Sequence, residues 1–187
     1  PKTMESYRVG SVKWSMKYFA DGQFSPSSFE WAEVAAKAVL DEALALYPHA
    51  AWDVAYGSSG TIGAVSDVLH AAGWPEDIIT REGLDWLKEK LIKAGRADAL
   101  RLEGVKEDRK PVIGGGLAVL CALFDLMKID TMHAAQGALR HGVLYDLVQR
   151  EHSTDLRSAM VTALGNRFAV DKAQAERVQK TALKLFK

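Results

Sequence analysis

The sequence predicts an α/β layer fold over residues 1–148, followed by a short all-helical extension over residues 149–187. Two observations carry this. Short β-branched and aromatic runs alternate with helical apolar patterns, and no repeat or low-complexity segment interrupts them. Beyond "VQREHSTD" the strand-like runs stop and the charge changes sign. Residues 1–148 carry 16 Lys+Arg against 20 Asp+Glu, and residues 149–187 carry 8 against 4.

In order along the chain, "SVKWSMKYF" alternates Val12, Trp14, Met16 and Tyr18 with Ser11, Lys13, Ser15 and Lys17, the period of a half-buried strand. "DGQ" at 21–23 turns the chain. Ser25 caps a helix with Pro26 at its first position, where the missing N–H costs nothing, and that helix runs to about Tyr47, before Pro48. "WDVAY" (52–56) reads as a strand, and Ile62 to Ala72 as a helix closed by Gly73. Thr80 caps a further helix whose Leu84, Leu87 and Leu91 share one face and which ends at Gly95. Leu117, Leu120, Cys121, Phe124 and Met127 have helical spacing, "TMHA" (131–134) reads as a short strand, and "GVLYDLV" opens another helix. In the extension, "STDLRSAMVTALGNRF" and "DKAQAERVQKTALKLF" are two helices, with Asp171 and Gln174 spaced as a capping box. The second receives no stop signal, so the natural protein is expected to continue.

Composition narrows the setting. Hydrophobic residues make up 48% and charged residues 26%, as in ordinary soluble globular proteins. No apolar run is expected to reach the length of a membrane span, and the N-terminus lacks a signal-peptide layout. The single cysteine, Cys121, rules out a disulfide within the chain and fits a reduced, cytoplasmic setting. The basic extension suits an anionic partner or a solvated helical surface. No basic strip interleaves with the five tryptophans, which argues against nucleic-acid binding.

The segment "DVAYGSSGTIGAV" (53–65) carries the clearest chemical signal. A strand running through a Gly-rich turn into a helix aims several N–H groups at one point, and the helix dipole adds positive potential there. Gly57 and Gly60 allow positive φ and close backbone approach, and Ser58, Ser59 and Thr61 add hydroxyl donors. A phosphate fits such a turn; so does a purely structural helix cap. No Lys follows at the spacing of a Walker loop.

"GSSGTIGAV", "EDRKPVIGGGLAVLCALFDL" and "GALRHGVLYDL", in this order, resemble the Ppx/GppA family of exopolyphosphatases and guanosine pentaphosphate phosphohydrolases. "YRVGSVKWSMKYF" resembles the strand after that family's second phosphate-binding loop, and the extension is similar to the start of its helical C-terminal domain. The resemblance implies most of the second lobe of an actin-like (ribonuclease H-like) fold, a mixed sheet flanked by helices. It further implies phosphate-chain binding with Mg²⁺ between two lobes, and release of the terminal phosphate by water. The catalytic base is expected in a first lobe that this chain does not contain.

Two family features are absent. No "DIGSNS"-like or "DIGGGS"-like loop occurs, and the common Arg-Glu-Gly of the last motif is here Arg140-His141-Gly142, so that carboxylate's role is not carried over. The phosphate-binding candidates are Gly57, Ser58, Ser59, Gly60 and Thr61. Arg109, Gly114, Gly115, Gly116 and Arg140 are candidates for the cleft edge, against the alternatives of a solvated "KEDRK" cap and a structural salt-bridge partner. His49, His70, His133 and His152 have no metal-ligand spacing, so the chain itself is assigned no metal site. It is assigned no catalytic residue because the resemblance implies the base in the first lobe. The expected substrate is inorganic polyphosphate, with guanosine pentaphosphate as the alternative and a non-catalytic phosphate-chain sensor as the reading from another class. The chain alone is expected to be inactive, with the full-length protein a homodimer.

Overall fold

A computed structural model describes residues 3–135, 137, 139–150 and 156–186. The chain divides into two compact units, Pro1–Ala138 and Leu139–Lys187.

The first unit opens with helix α1 (Ser11–Tyr18), where the period-two pattern predicts a strand. Its inward face is Trp14 and Ser15, one residue apart, and Val12 and Met16 face solvent at 58% and 77% exposure. A strand would bury alternate residues, whereas this face lies against helix α6 (Lys110–Met127) through small polar groups: the Gly115 N–H donates to Ser15 Oγ at 3.0 Å. Trp14 Nε1 donates to the carbonyl of Ala32 at 3.0 Å, tying α1 to α2 (Pro26–Leu40). Ser25 caps α2 as its sequence predicts, its Oγ accepting the Ser28 N–H at 3.1 Å. The helix stops at Leu40, short of the expected end, and α3 (Ala43–Leu46) continues the segment after a turn.

Three short strands form a mixed sheet in the order β1–β3–β2. β1 (Ala55–Gly57) lies parallel to β3 (Thr131–Ala134), and β2 (Ile78–Thr80) lies antiparallel to it. β1 thus sits three residues later than the expected start, and β2 is an addition to the predicted strands. Helix α4 (Gly60–Ala71) follows β1, and α5 (Arg81–Ala94) follows β2. The α5 boundaries agree with their sequence signals: Thr80 Oγ1 accepts the Gly83 N–H at 3.1 Å, and Gly95 closes the helix at φ 71°.

The core gathers around α6. Leu69, Leu84, Leu87, Leu91, Leu117, Cys121 and Phe124 are fully buried, and Phe19 packs edge-on against Phe29 with centroids 4.8 Å apart. Contrary to the expectation that no apolar run is long enough, Glu107–Met127 has the length and composition to cross a bilayer. Its residues from Ile113 to Ala118 are buried within the unit, which is the placement of a core helix.

The second unit comprises α7 (Leu139–Arg150), α8 (Leu156–Arg167) and α9 (Lys172–Leu185). The charge break after residue 148 falls inside α7. Asp171 caps α9 by accepting the Gln174 N–H at 3.0 Å. The side-chain amide oxygen of Gln174 (Oε1) accepts from Arg177 Nε at 3.0 Å. Leu183 and Phe186 are 61% and 93% exposed.

Candidate functional site

β1 ends at Gly57 and α4 begins at Gly60, so the 57–61 segment joins the C-terminal end of a strand to the first turn of a helix. The helix starts two residues earlier than its apolar pattern predicts, because Ser59 acts as the cap: its Oγ accepts the Ile62 N–H at 3.3 Å. By helix geometry the Gly60 and Thr61 N–H groups have no carbonyl partner within α4 and point outward past the cap. Gly57 is buried, and its carbonyl accepts the Ala135 N–H at 2.8 Å. A Cβ on Gly57 would lie 2.6 Å from Met132 Sδ, so this glycine seats β1 against the core.

Arg109 comes to the same place. It sits in the short turn Glu107–Arg109 before α6, and a Cβ built on Gly60 would lie 2.5 Å from one of its guanidinium nitrogens. The guanidinium therefore rests on the bare backbone of Gly60. Its Nε contacts Asp108 Oδ2 at 3.4 Å, and its side chain stays 40% exposed. A cation and the positive end of α4 thus converge on one surface, which favours an anion there. Thr61 and Arg109, with Ala64, Val112 and Ile113, line a small cleft beside it.

The Gly114–Gly116 run is placed elsewhere. All three residues are buried inside α6, where their N–H groups belong to the helix and to Ser15. A Cβ on Gly114 would meet the Phe24 ring at 2.7 Å, and one on Gly115 would meet the Ser11 carbonyl oxygen at 2.6 Å. These glycines let α1 and Phe24 approach α6 and do not form a cleft edge. Gly116 alone touches the candidate segment, since a Cβ there would lie 2.5 Å from the Thr61 methyl. Arg140 lies in α7, and its side chain falls outside the described residues, as does the whole of His152.

Among the described residues, no three His, Cys, Asp or Glu side chains come together as metal ligands. The described residues therefore do not by themselves form a Mg²⁺ cage.

A charged cluster at the other end of α6 has no counterpart in the sequence reading. Asp125 accepts from Lys37 of α2 at 2.6 Å and from Arg81 of α5, and Arg81 also reaches Asp85 at 3.2 Å. A cavity of about 640 Å³ opens beside it, lined in part by Leu44, Lys128 and Asp130. Burial pushes the Asp125 carboxyl up, but the Lys37 hydrogen bond and the Arg81 charge outweigh it and hold the group below its ordinary value. Its members come from three separate helices, so no local spacing announces it.

Two proteins named guanosine-5'-triphosphate,3'-diphosphate pyrophosphatase align with nearly the whole chain. The one from Aeromonas hydrophila is 38% identical over 99% of the chain, and the one from Pseudoalteromonas translucida is 37% identical over 97%. The chain spans only 37% and 36% of those two relatives. Among solved structures, an exopolyphosphatase-like protein superimposes with a TM-score of 0.65 at 20% identity, over 78% of this chain and 50% of that one. The Aquifex aeolicus PPX-GPPA enzyme gives 0.60 at 18% identity, over 73% of this chain and 46% of that one. These structures share the fold expected for the actin-like lobe. The profile of the Ppx/GppA phosphatase family matches residues 1–151, and the chain belongs to that family.

Proposed function

We propose that this chain supplies the phosphate-gripping lobe of a hydrolase that cleaves the terminal phosphoanhydride bond of a phosphate-chain substrate. The observation that carries the reading is the Arg109 guanidinium resting on Gly60 at the start of α4. In this arrangement the N–H groups of Gly60 and Thr61 donate to non-bridging oxygens of the terminal phosphate, and Arg109 adds a charge-assisted donor. These donors act on charge that grows as water attacks phosphorus and the bridging P–O bond breaks. The proton lost by water goes to a base outside this chain, in the first lobe implied by the family resemblance. Mg²⁺ is likewise proposed for the longer protein, as a partner of the substrate phosphates, and no step here runs through it.

The names of the relatives, at 37–38% identity over nearly the whole chain, favour guanosine pentaphosphate over the polyphosphate put first by the sequence. Polyphosphate remains the second reading, because the cradle itself holds only phosphate.

Titration of the chain with inorganic tripolyphosphate, followed by amide NMR, tests the cradle. Shifts centred on residues 57–61 and on the Arg109 side chain are expected, with affinity near millimolar, because a few donors offset only part of the cost of immobilising the ligand. Binding that leaves these signals unmoved overturns the reading. Phosphate release from guanosine pentaphosphate by the isolated chain, at the rate of a complete family member, overturns the placement of the base outside it.

A further inference from the structure

The sheet has two unlike faces. Gly57, Met132 and Ile79 are buried on the face that meets the core. Alternation puts Tyr56, His133 and Ile78 on the other face. Register aligns these three in one row across all three strands: Tyr56 pairs with His133 on β3, which pairs with Ile78 on β2. The Tyr56 and His133 rings lie 5.3 Å apart at 32°, while His133 and Ile78 are half-buried and Tyr56 is 71% exposed. A flat aromatic surface, firm on one side and open on the other, therefore stands one residue before Gly57.

We infer that Tyr56, backed by His133, is a stacking subsite for the purine base of a guanosine polyphosphate whose phosphates lie in the 57–61 cradle; this rests on the phosphate reading of that cradle. The ligand would straddle the C-terminal end of β1, its base on the open face and its phosphates at the start of α4. Open α/β sheets hold ligands at that end of their strands. A tyrosine ring held against a second ring presents its free π-face at little entropic cost, and every base offers a matching face. Tyr56 would then separate a nucleotide from a bare phosphate chain, which Gly60, Thr61 and Arg109 hold equally well in either substrate.

The test compares guanosine pentaphosphate with inorganic tripolyphosphate as ligands of the whole chain, by NMR titration. The nucleotide should bind about tenfold more tightly, the size of one base–aromatic stack. It should also move the ring signals of Tyr56 and His133, which tripolyphosphate should leave in place. Tyr56→Ala should erase the preference while tripolyphosphate affinity stays constant, and Tyr56→Phe should retain it. A preference that survives Tyr56→Ala overturns the inference and leaves the cradle standing. An equal loss for both ligands also overturns it, since Tyr56 would then act through the fold of the cradle. Failure of the unaltered chain to bind either ligand overturns the cradle and the stacking subsite together.

Discussion

The guanidinium of Arg109 lies on the backbone of Gly60, close enough that a single added carbon on that glycine would contact it at 2.5 Å. The two residues belong to distant parts of the chain and are joined by what one of them lacks. The obstacle is the mobile end of a long side chain, so a methyl on Gly60 should displace Arg109 without disturbing α4. Alanine is also a better helix former than glycine, so stability should hold or rise slightly.

The Gly60→Ala change should therefore weaken tripolyphosphate binding about as much as Arg109→Ala does. Loss of one charge-assisted hydrogen bond, about 1.5–3 kcal/mol, corresponds to roughly a tenfold weakening or more. The double variant should fall no further than the weaker single variant, because both changes remove the same contact. Additive losses in calorimetric titrations would mean that Gly60 and Arg109 act separately.

At Gly115 a Cβ would meet two backbone groups of α1, the Ser11 carbonyl and the Ser15 amide, besides the Ser15 hydroxyl. The hydroxyl can rotate, but the two backbone groups cannot swing aside. The Gly115→Ala change should force α1 away from α6 and cost about 1–3 kcal/mol, the usual range for overpacking. A lower melting temperature, followed by circular dichroism, checks it. An unchanged melting temperature would show that α1 is not seated on α6 in this way.

These two glycines mark how far the sequence could be read. The helix limits at Ser25, Thr80 and Gly95 were legible because cap chemistry is local. So was the strand–turn–helix placement of 57–61, where Gly and Ser interrupt an apolar run. The α1 segment misled because Val12, Trp14, Met16 and Tyr18 alternate by accident of composition. Its true inward face uses Ser15 against a glycine of α6, and a hydrophobic pattern does not register that contact. The same blind spot put Gly114–Gly116 among the cleft-edge candidates, although glycine serves close helix packing equally well. The pairing of Gly60 with Arg109 depends on how α4 and α6 meet, which no local spacing encodes.

Cys121 is fully buried in α6, and burial, with a smaller contribution from the nearby Glu33 charge, pushes its thiol pKa up to about 12. The thiolate is the reactive form, so the folded chain should resist a thiol-modifying disulfide reagent at pH 8. In denaturant the same cysteine should react at the ordinary rate of a free thiol. Modification of the native chain as fast as the unfolded one would place Cys121 at the surface, against its position beside Leu117 and Phe124.

The Asp125 cluster gives a pH dependence with a definite sign. Its carboxyl is held below the ordinary 3.8 in the folded chain, with the Lys37 hydrogen bond and Arg81 outweighing the upward push of burial. An unfolded carboxyl near 3.8 then binds its proton first as pH falls, so protonation favours unfolding. The stabilisation should be fully present well above pH 3.8 and should drain away as pH drops through the lower folded value. Lys37 and Arg81 are each about a third exposed, so solvent screens the pair and the effect should be modest and weaker at high salt. In urea melts between pH 6 and pH 3, Asp125→Asn should lower stability at the upper end and flatten the fall at the lower end. Parallel curves for the variant and the unaltered chain would assign the acid dependence to other carboxylates and reduce the Lys37–Asp125–Arg81 contact to a surface pairing without energetic weight.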